Sequence, residues 1–360
     1  MHEVVKQAAK TLIELSLEKA RKTAPGAQLF ILLDPSRDSN LTTVIQGLAQ
    51  RAECLYIGSA RDEFEDDAPW LAQCEDLDGL SDFLIDEGMG QRWCVFAISD
   101  GSYDELFRHF RKLVKIRQAK GDLLFFRFYD PEVLGSIIPF LTSEQRTYLF
   151  GPVRSFLMEI AAGSDLGFGR MEAPDSGSIP VSFMLPSPDG ANKIISEESI
   201  IRGPAELLAS HMVFDLVGAV TKPVLTLTQA QLEAPVLFNR PKLVASTIEY
   251  LEEDFGEAMK VMPPGMLAQN INHGIDLAMS YRIFDVSHIH LFVDLMMRIA
   301  PGWHRQPSLA SVLTRADLPP EERFDIMLNP RYDDAWEDAR RFSDPEEWIE
   351  RKQRENNNVH

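Results

Sequence analysis

The chain has 360 residues, of which 45% are hydrophobic and 25% are charged, a composition that predicts a folded protein with a sizeable core. Its 36 basic and 55 acidic residues give a formal net charge of −19. This acidity argues against general binding to nucleic acids or anionic membranes, because both need lysine and arginine to neutralise phosphate. We therefore expect the partner to be a protein or a small molecule.

The cysteines and the N-terminus indicate the compartment. Cys54, Cys74 and Cys94 are an odd number without Cys-x-x-Cys spacing, which is typical of reduced, buried cysteines in a cytosolic protein. The N-terminal segment alternates charged and apolar residues, unlike a signal peptide, and no stretch approaches the roughly 18 apolar residues of a membrane span. We expect a cytoplasmic protein.

The first half of the chain alternates amphipathic stretches with short apolar runs. A helix is predicted over residues 1–22. Strands are then predicted at 28–33, 53–57, 93–98 and 122–128, with helices near 41–49, 80–88 and 103–114. Strands that alternate with helices favour a parallel sheet covered by helices. The sequence therefore predicts an α/β domain with an open, mostly parallel sheet and flanking helices.

The second half of the chain has a different pattern. Residues 161–235 are rich in Gly, Pro and Ser, and they either join domains or carry irregular strands. From Pro241 onward helical periodicity returns, with helices predicted at 266–281 and 286–299, which predicts a smaller all-helical C-terminal domain. The predicted division is an N-terminal helix at 1–27, the α/β domain at 28–155, a connecting segment at 156–238, a helical domain at 239–330 and a charged tail at 331–360.

Three aspartates, Asp34, Asp100 and Asp130, directly follow predicted strands. In a parallel sheet such strand ends meet at one edge, where α/β proteins bind ligands, and carboxylates gathered there can hold Mg²⁺. Each aspartate also precedes proline or glycine, where Asp is favoured because it closes turns and caps helices. We favour the turn role, since no phosphate-binding loop accompanies them. A Mg²⁺-dependent hydrolase or nucleotide-binding enzyme stays open as the alternative.

Arg127 interrupts the apolar run of the fourth predicted strand. A charge in a buried strand needs a partner, because desolvating it alone is costly. We expect that partner to be Asp34 or Asp100, in a structural ion pair rather than a ligand-binding site. Asp130 and Pro131 are predicted to cap and begin the next helix.

His273, His288, His290 and His304 are the only histidine cluster in the sequence. The His-x-His pair offers two metal ligands, but residues i and i+2 point to different sides of a helix, so capping or surface roles are favoured. The chain also lacks a Gly-x-Ser-x-Gly elbow and a recognisable cysteine nucleophile signature. The sequence therefore predicts no catalytic residue, no cofactor and no metal site.

Charge is unevenly distributed along the first domain. Residues 51–90 hold twelve acidic residues and two arginines, whereas residues 101–127 hold three acidic and seven basic residues. Such asymmetry can orient a docking partner, although a charged stripe is also the ordinary solvated face of an amphipathic helix. The candidate protein-docking face comprises Arg108, Arg111, Lys112 and Lys115.

Five short segments in order suggest a family. The two most specific are Phe-Arg-Phe-Tyr-Asp-Pro-Glu-Val-Leu at 126–134, with the structural motif Arg127, Tyr129, Asp130 and Pro131, and Thr-Ser-Glu-Gln-Arg-Thr-Tyr-Leu-Phe-Gly-Pro-Val at 142–153. Weaker matches lie at 32–38, at 68–71 and in the predicted strand that begins at Trp93. Together they resemble the N-terminal domain of type VI secretion effector adaptors, the Tap-type effector chaperones.

The resemblance implies a bacterial cytoplasmic adaptor that binds a toxic effector protein and loads it onto a VgrG-type spike without turnover. It implies two protein partners, no nucleic acid, no membrane and no catalytic residues, so the chain is expected not to be an enzyme. The helical C-terminal part resembles the variable region of such adaptors only loosely. An interaction scaffold unrelated to secretion stays open as a further alternative.

Overall fold

The computed structural model describes most of the chain in two units. The described residues are 2–173, except 59–60, 62–63, 65–67, 75, 78, 119–120 and 163–164; the strands at 181–185 and 193–196; 224–344, except 238, 264 and 316; and 348. The first compact unit is residues 1–232 and the second is residues 233–360. The first unit mixes helices with sheet and the second is helical where described. The predicted α/β class with a helical C-terminal region is confirmed.

The first unit contains six complete α-helices and eleven strands among its described residues. The helices are α1 (His2–Thr23), α2 (Leu41–Leu48), α3 (Gly79–Gly88), α4 (Tyr103–Leu113), α5 (Pro131–Ile137) and α6 (Ser143–Phe150). The strands are β1 (Gln28–Leu33), β2 (Arg51–Cys54), β3 (Trp70–Cys74), β4 (Cys94–Ser99), β5 (Lys115–Gln118), β6 (Leu123–Phe125), β7 (Val153–Ala162), β8 (Asp165–Glu172), β9 (Val181–Leu185), β10 (Lys193–Ser196) and β11 (Thr226–Leu227).

The main sheet has eight strands in the order β10-β9-β8-β7-β4-β1-β3-β2. Every neighbouring pair in it is antiparallel, so the predicted mostly parallel arrangement is wrong. The physical reason is β3, a strand that the sequence pattern did not predict, which pairs with both β1 and β2. Antiparallel neighbours need no helical crossover between them. The predicted domain boundary at residue 155 falls inside β7.

Both faces of the central strand β1 are buried. Along β1, Leu29, Ile31 and Leu33 belong to one core cluster, which also contains residues of α1, α2 and α3. Phe30 and Leu32 point to the other face and belong to a second cluster with residues of α4, α5 and α6. Successive strand side chains alternate between faces. Because both faces of β1 are covered, its sequence is a continuous apolar run.

A separate three-stranded sheet has the order β11-β5-β6. β5 pairs antiparallel with β6 and parallel with β11. The predicted strand at 122–128 is therefore wrong in its extent and its place, since only Leu123–Phe125 is strand and it lies outside the main sheet. Phe126 and Phe128 leave the strand and are buried in the core beside α4.

The second unit packs its helices around one core. Helix α7 (Gln229–Leu237) contains the boundary between the units, and it is followed by α8 (Arg240–Lys260), α9 (Met266–Ser280), α10 (Val286–Arg298), α11 (Pro307–Leu313), α12 (Pro320–Met327) and α13 (Asp333–Ala339). The helices predicted at 266–281 and 286–299 are confirmed within one residue. In the part of the chain that is described, no helix is long and apolar enough to cross a lipid bilayer.

Candidate protein-docking surface

Arg127 is held at the end of β1 by the carboxylate of Asp34. Asp34 is fully buried, and its Oδ2 accepts a hydrogen bond of 2.5 Å from Arg127 Nη2. Ser36 Oγ donates to Asp34 Oδ1 at 2.6 Å and lies 2.9 Å from Arg127 Nη2. Burial is the largest single influence and works to lower the pKa of Arg127, but the hydrogen bond to Asp34 and the nearby negative charges of Asp34 and Asp130 together outweigh burial and raise that pKa. The expected structural ion pair of Arg127 is confirmed, with Asp34 as the partner.

A second arginine, which the sequence did not single out, links Asp34 to Asp130. Arg37 Nε lies 3.6 Å from Asp34 Oδ2, and its guanidinium forms an ion pair with Asp130. Asp130 Oδ1 also accepts a hydrogen bond of 2.9 Å from the backbone N–H of Glu132, and Pro131 is the first residue of α5. The predicted cap and helix start are confirmed. Both buried carboxylates therefore have structural partners.

The fourth member of the predicted motif, Tyr129, is buried beside this network. Its ring lies 5.9 Å from the guanidinium carbon of Arg127, and its side chain is hydrogen-bonded to that of Tyr56. Burial raises the pKa of Tyr129, so the hydroxyl is neutral and keeps its proton for hydrogen bonding. The motif fixes the segment that leaves β6 and enters α5.

Asp100 lies at the opposite end of the sheet from Asp34. β1 and β4 are antiparallel, and Gln28, the first residue of β1, pairs with Ser99. Asp34 follows the other end of β1, roughly 20 Å away at about 3.3 Å per residue. Asp100 instead forms a bidentate pair with Arg154, with N–O distances of 2.6 and 3.0 Å. The expectation that the three aspartates meet at one edge is wrong, because it assumed a parallel sheet.

The histidines make separate local contacts. His288 Nδ1 lies 2.5 Å from Asp285 Oδ1, and Asp285 caps α10 by accepting from the backbone N–H of His288. Among the described residues, no group of three or more His, Cys, Asp or Glu is arranged to hold a metal ion. The other members of the predicted cluster are His273, which is half-buried, His290, which stacks on Tyr250, and His304, which is buried.

The predicted docking residues form one exposed face on α4 and the first residue of β5, which we call the basic face. Residues three and four apart in a helix share a side, and the opposite side of α4 is buried. Of the four, only Arg111 is half-buried, and the others are exposed. Within the described part of the chain, none of them pairs with a carboxylate. The basic face is Arg108, Arg111, Lys112 and Lys115.

The Phe-Gly-Pro turn after α6 fixes the position of α4. His109 Nε2 lies 2.9 Å from the carbonyl oxygen of Leu149. Burial lowers the pKa of His109, so the imidazole is neutral and donates through Nε2. Gly151 has φ +51°, and a Cβ there would lie 2.3 Å from His109 Cε1. This turn requires glycine both for its backbone conformation and for the space that the imidazole occupies.

An exposed apolar strand adjoins the basic face, and sequence reasoning missed it. All three residues of β6 are exposed, with Leu123 and Phe125 each at 51%. The Phe125 ring lies 5.7 Å from Tyr56 and 6.0 Å from Phe64. Lys115 pairs with Phe125 across the ladder, and its Nζ lies 5.1 Å from the centre of that ring. The basic face and β6 therefore form one continuous surface.

This surface lies in the part of the chain that has a family match. Residues 29–148 match the DUF4123 family model. The family is described as a domain of unknown function. The match spans 120 of the 360 residues, a third of the chain. No curated protein and no solved structure matches the chain.

The DUF4123 region contains both groups of residues that the sequence singled out. Asp34, Arg127 and Asp130 come together, through Arg37, in a network at the end of β1, in which the two carboxylates are buried. The four residues of the basic face lie together on α4 and β5. Asp100 belongs to neither group. The DUF4123 region thus carries a structural network and an exposed basic and apolar surface.

Proposed function

We propose that the protein is a cytoplasmic adaptor that binds a type VI secretion effector and loads it onto a VgrG-type spike. The observation that carries this proposal is the DUF4123 match at residues 29–148, since this family is associated with Tap-type effector adaptors. The match contains the motif at 126–134, on which the sequence resemblance rests. It also contains the basic face and β6.

In this proposal the protein acts by binding rather than by chemistry. The aspartates that were candidates for a metal site are engaged by arginines, Asp34 by Arg127 and Asp100 by Arg154. The basic face offers four cations without a carboxylate partner among the described residues. Cations on an otherwise acidic protein orient an approaching acidic surface and speed its association. The exposed apolar side chains beside them become buried when a partner binds, which stabilises the complex by about 25 cal/mol per Å² of apolar surface.

The proposal is tested with the proteins encoded beside this gene. The full chain is purified together with the neighbouring effector and spike proteins, each added singly and then both at once. We expect a stable complex with the effector, and a larger complex when the spike is added. Size-exclusion chromatography with light scattering gives the composition of each complex. If neither protein is retained by the chain, the adaptor function is wrong.

A matched pair of variants locates the contact within that complex. Reversal of Lys112 and Lys115 to glutamate removes two cations of the basic face and should weaken binding. Lys22→Glu with Lys260→Glu makes the same change in total charge at exposed positions on α1 and α8. Equal loss of binding in both double variants would mean that net charge, and not the basic face, governs association.

A further inference from the structure

We propose that β6 is a docking strand, to which an extended, acidic segment of the partner adds as a fourth strand of the small sheet. The inference rests on the proposed function for the identity of that partner. It concerns a different question, namely how the surface holds its partner.

One side of the β6 backbone faces away from β5. Phe126 N–H donates to Val114 O at 3.0 Å, and Gln118 N–H donates to Asp122 O at 2.8 Å. Asp122 and Phe126 thus face β5, and the alternation of an antiparallel ladder directs the N–H and C=O groups of Leu123 and Phe125 away from it. No described strand pairs with that side. An open edge of this kind is a template for strand addition.

The side chains on one face of this edge suit an apolar and acidic segment. Lys115 lies opposite Phe125 and Arg117 lies opposite Leu123, and residues that pair across a ladder share a face. Two exposed apolar side chains therefore sit beside two cations. Arg117 also donates to the carbonyl of Gly121 at 2.8 Å, which keeps its guanidinium near the strand. A partner strand with apolar residues at alternate positions and neighbouring carboxylates complements this face.

Two other occupants fit this edge less well. In a second copy of the chain, the strand that would pair here is Leu123–Phe125, which has no carboxylate to place beside Lys115 and Arg117. A lipid surface could cover the apolar side chains and attract the cations. However, it would leave the outward backbone groups of Leu123 and Phe125 without partners, which is costly in an apolar medium. An added strand satisfies both the backbone and the side chains.

The test separates the backbone contribution from the apolar one. Leu123→Pro removes an outward N–H while leaving the ladder to β5 in place, and Leu123→Val keeps both that N–H and an apolar side chain. We expect Leu123→Pro to weaken binding of the neighbouring effector or spike protein by about tenfold, and Leu123→Val by less than about twofold. Isothermal titration calorimetry measures the affinities, and circular dichroism with thermal unfolding verifies that both variants fold.

Hydrogen exchange and cross-linking then identify the occupant. In the wild-type complex, the amides of Leu123 and Phe125 should gain protection. A photo-reactive benzoylphenylalanine at position 125 should cross-link to a partner segment that contains acidic residues. The double variant Lys115→Glu with Arg117→Glu should bind the partner more weakly than the wild type, and its affinity should depend less on salt. Val261→Thr, at an exposed apolar residue of the second unit, should leave the affinity unchanged.

Each contrary result has a distinct meaning. Unchanged affinity in a folded Leu123→Pro variant, or a cross-link to a basic or helical segment, overturns strand addition alone. Strand addition is also overturned if the wild-type chain forms a dimer that Leu123→Pro dissociates. The same holds if the wild-type chain sediments with vesicles containing 30% phosphatidylglycerol and Phe125→Thr abolishes that sedimentation. If the wild-type chain binds neither neighbouring protein, the proposed function fails and the partner named here fails with it.

Discussion

Replacing Arg127 with methionine tests what holds the segment 126–131 against β1. The substitution keeps a long apolar stem and removes the guanidinium that donates to the fully buried Asp34 carboxylate. Asp34 then keeps Ser36, at 2.6 Å, and Arg37, whose Nε is 3.6 Å away. A buried carboxylate that loses its main partner retains the cost of its desolvation.

The magnitude follows from the burial of the two partners. Breaking a fully buried ion pair costs about 3–5 kcal/mol of unfolding free energy. The Arg127 side chain is 42% exposed, and Arg37 remains near Asp34, so we expect a loss of about 2 kcal/mol. For a unit of this size, that loss lowers the melting temperature by roughly 4–8 °C. Asp34→Asn removes the charge together with its desolvation cost, and it should lose only about 1 kcal/mol.

The assay is thermal and urea unfolding followed by near-ultraviolet circular dichroism. The control is Arg154→Met, which breaks a pair whose side chains are 40% and 42% exposed and should cost under about 1 kcal/mol. The double variant Asp34→Asn with Arg127→Met should lose less than the sum of the single losses. If Arg127→Met is no more destabilising than Asp34→Asn or Arg154→Met, the reasoning about the buried carboxylate is refuted.

Three further outcomes are expected. Gly151→Ala should lower the free energy of unfolding by at least about 1–2 kcal/mol, because alanine is strained at the positive φ of this position. Adding His109→Ala removes the clash with the new Cβ and should restore only that part of the loss, as measured by urea unfolding. Burial works to lower the pKa of His288, but Asp285, with Glu321 and Glu233, raises it overall, and the pKa of Asp285 is lowered in turn. This pair should therefore stabilise the fold between the ordinary pKa values of Asp and His, 3.8 and 6.5. It should lose that contribution as the pH rises through the folded-state pKa of His288; a melting temperature that declines equally with pH in Asp285→Asn would contradict this. Neutralising the whole basic face should lower the association rate and flatten its salt dependence, and stopped-flow rates unaltered between 50 and 300 mM salt would refute steering.

Features set by neighbouring residues could be predicted from the sequence. Asp130 and Pro131 form a cap and a helix start through contacts within three positions of the chain. The helices at 266–280 and 286–298 are long, periodic and bounded by polar or turn residues. Arg127 needed a carboxylate because a buried charge is costly, and only two candidates followed nearby strands. In each case a local rule and the packing agree.

Features set by distant pairing could not be predicted. β3 is five residues long and follows a strongly acidic stretch, which hid its apolar character. Without β3, the relative directions of the strands could be inferred only from the alternation of helices and strands. The predicted position of Asp100 was wrong as a result. The Leu-Leu-Phe run of β6 resembles a buried strand, because sequence alone does not indicate which strand lies at an edge. Asp122, directly after the Gly121 turn, is the one local sign of exposure.

The strand order also bears on how the DUF4123 region can be isolated. The family match ends at residue 148, yet β4 lies between β1 and β7, and β7 begins at Val153. A fragment cut at the family boundary would leave β4 with an open edge next to buried apolar residues, and open edges of this kind promote aggregation. Strand β7, Val153–Ala162, is therefore part of the smallest piece of this chain that should fold, although the family match does not include it.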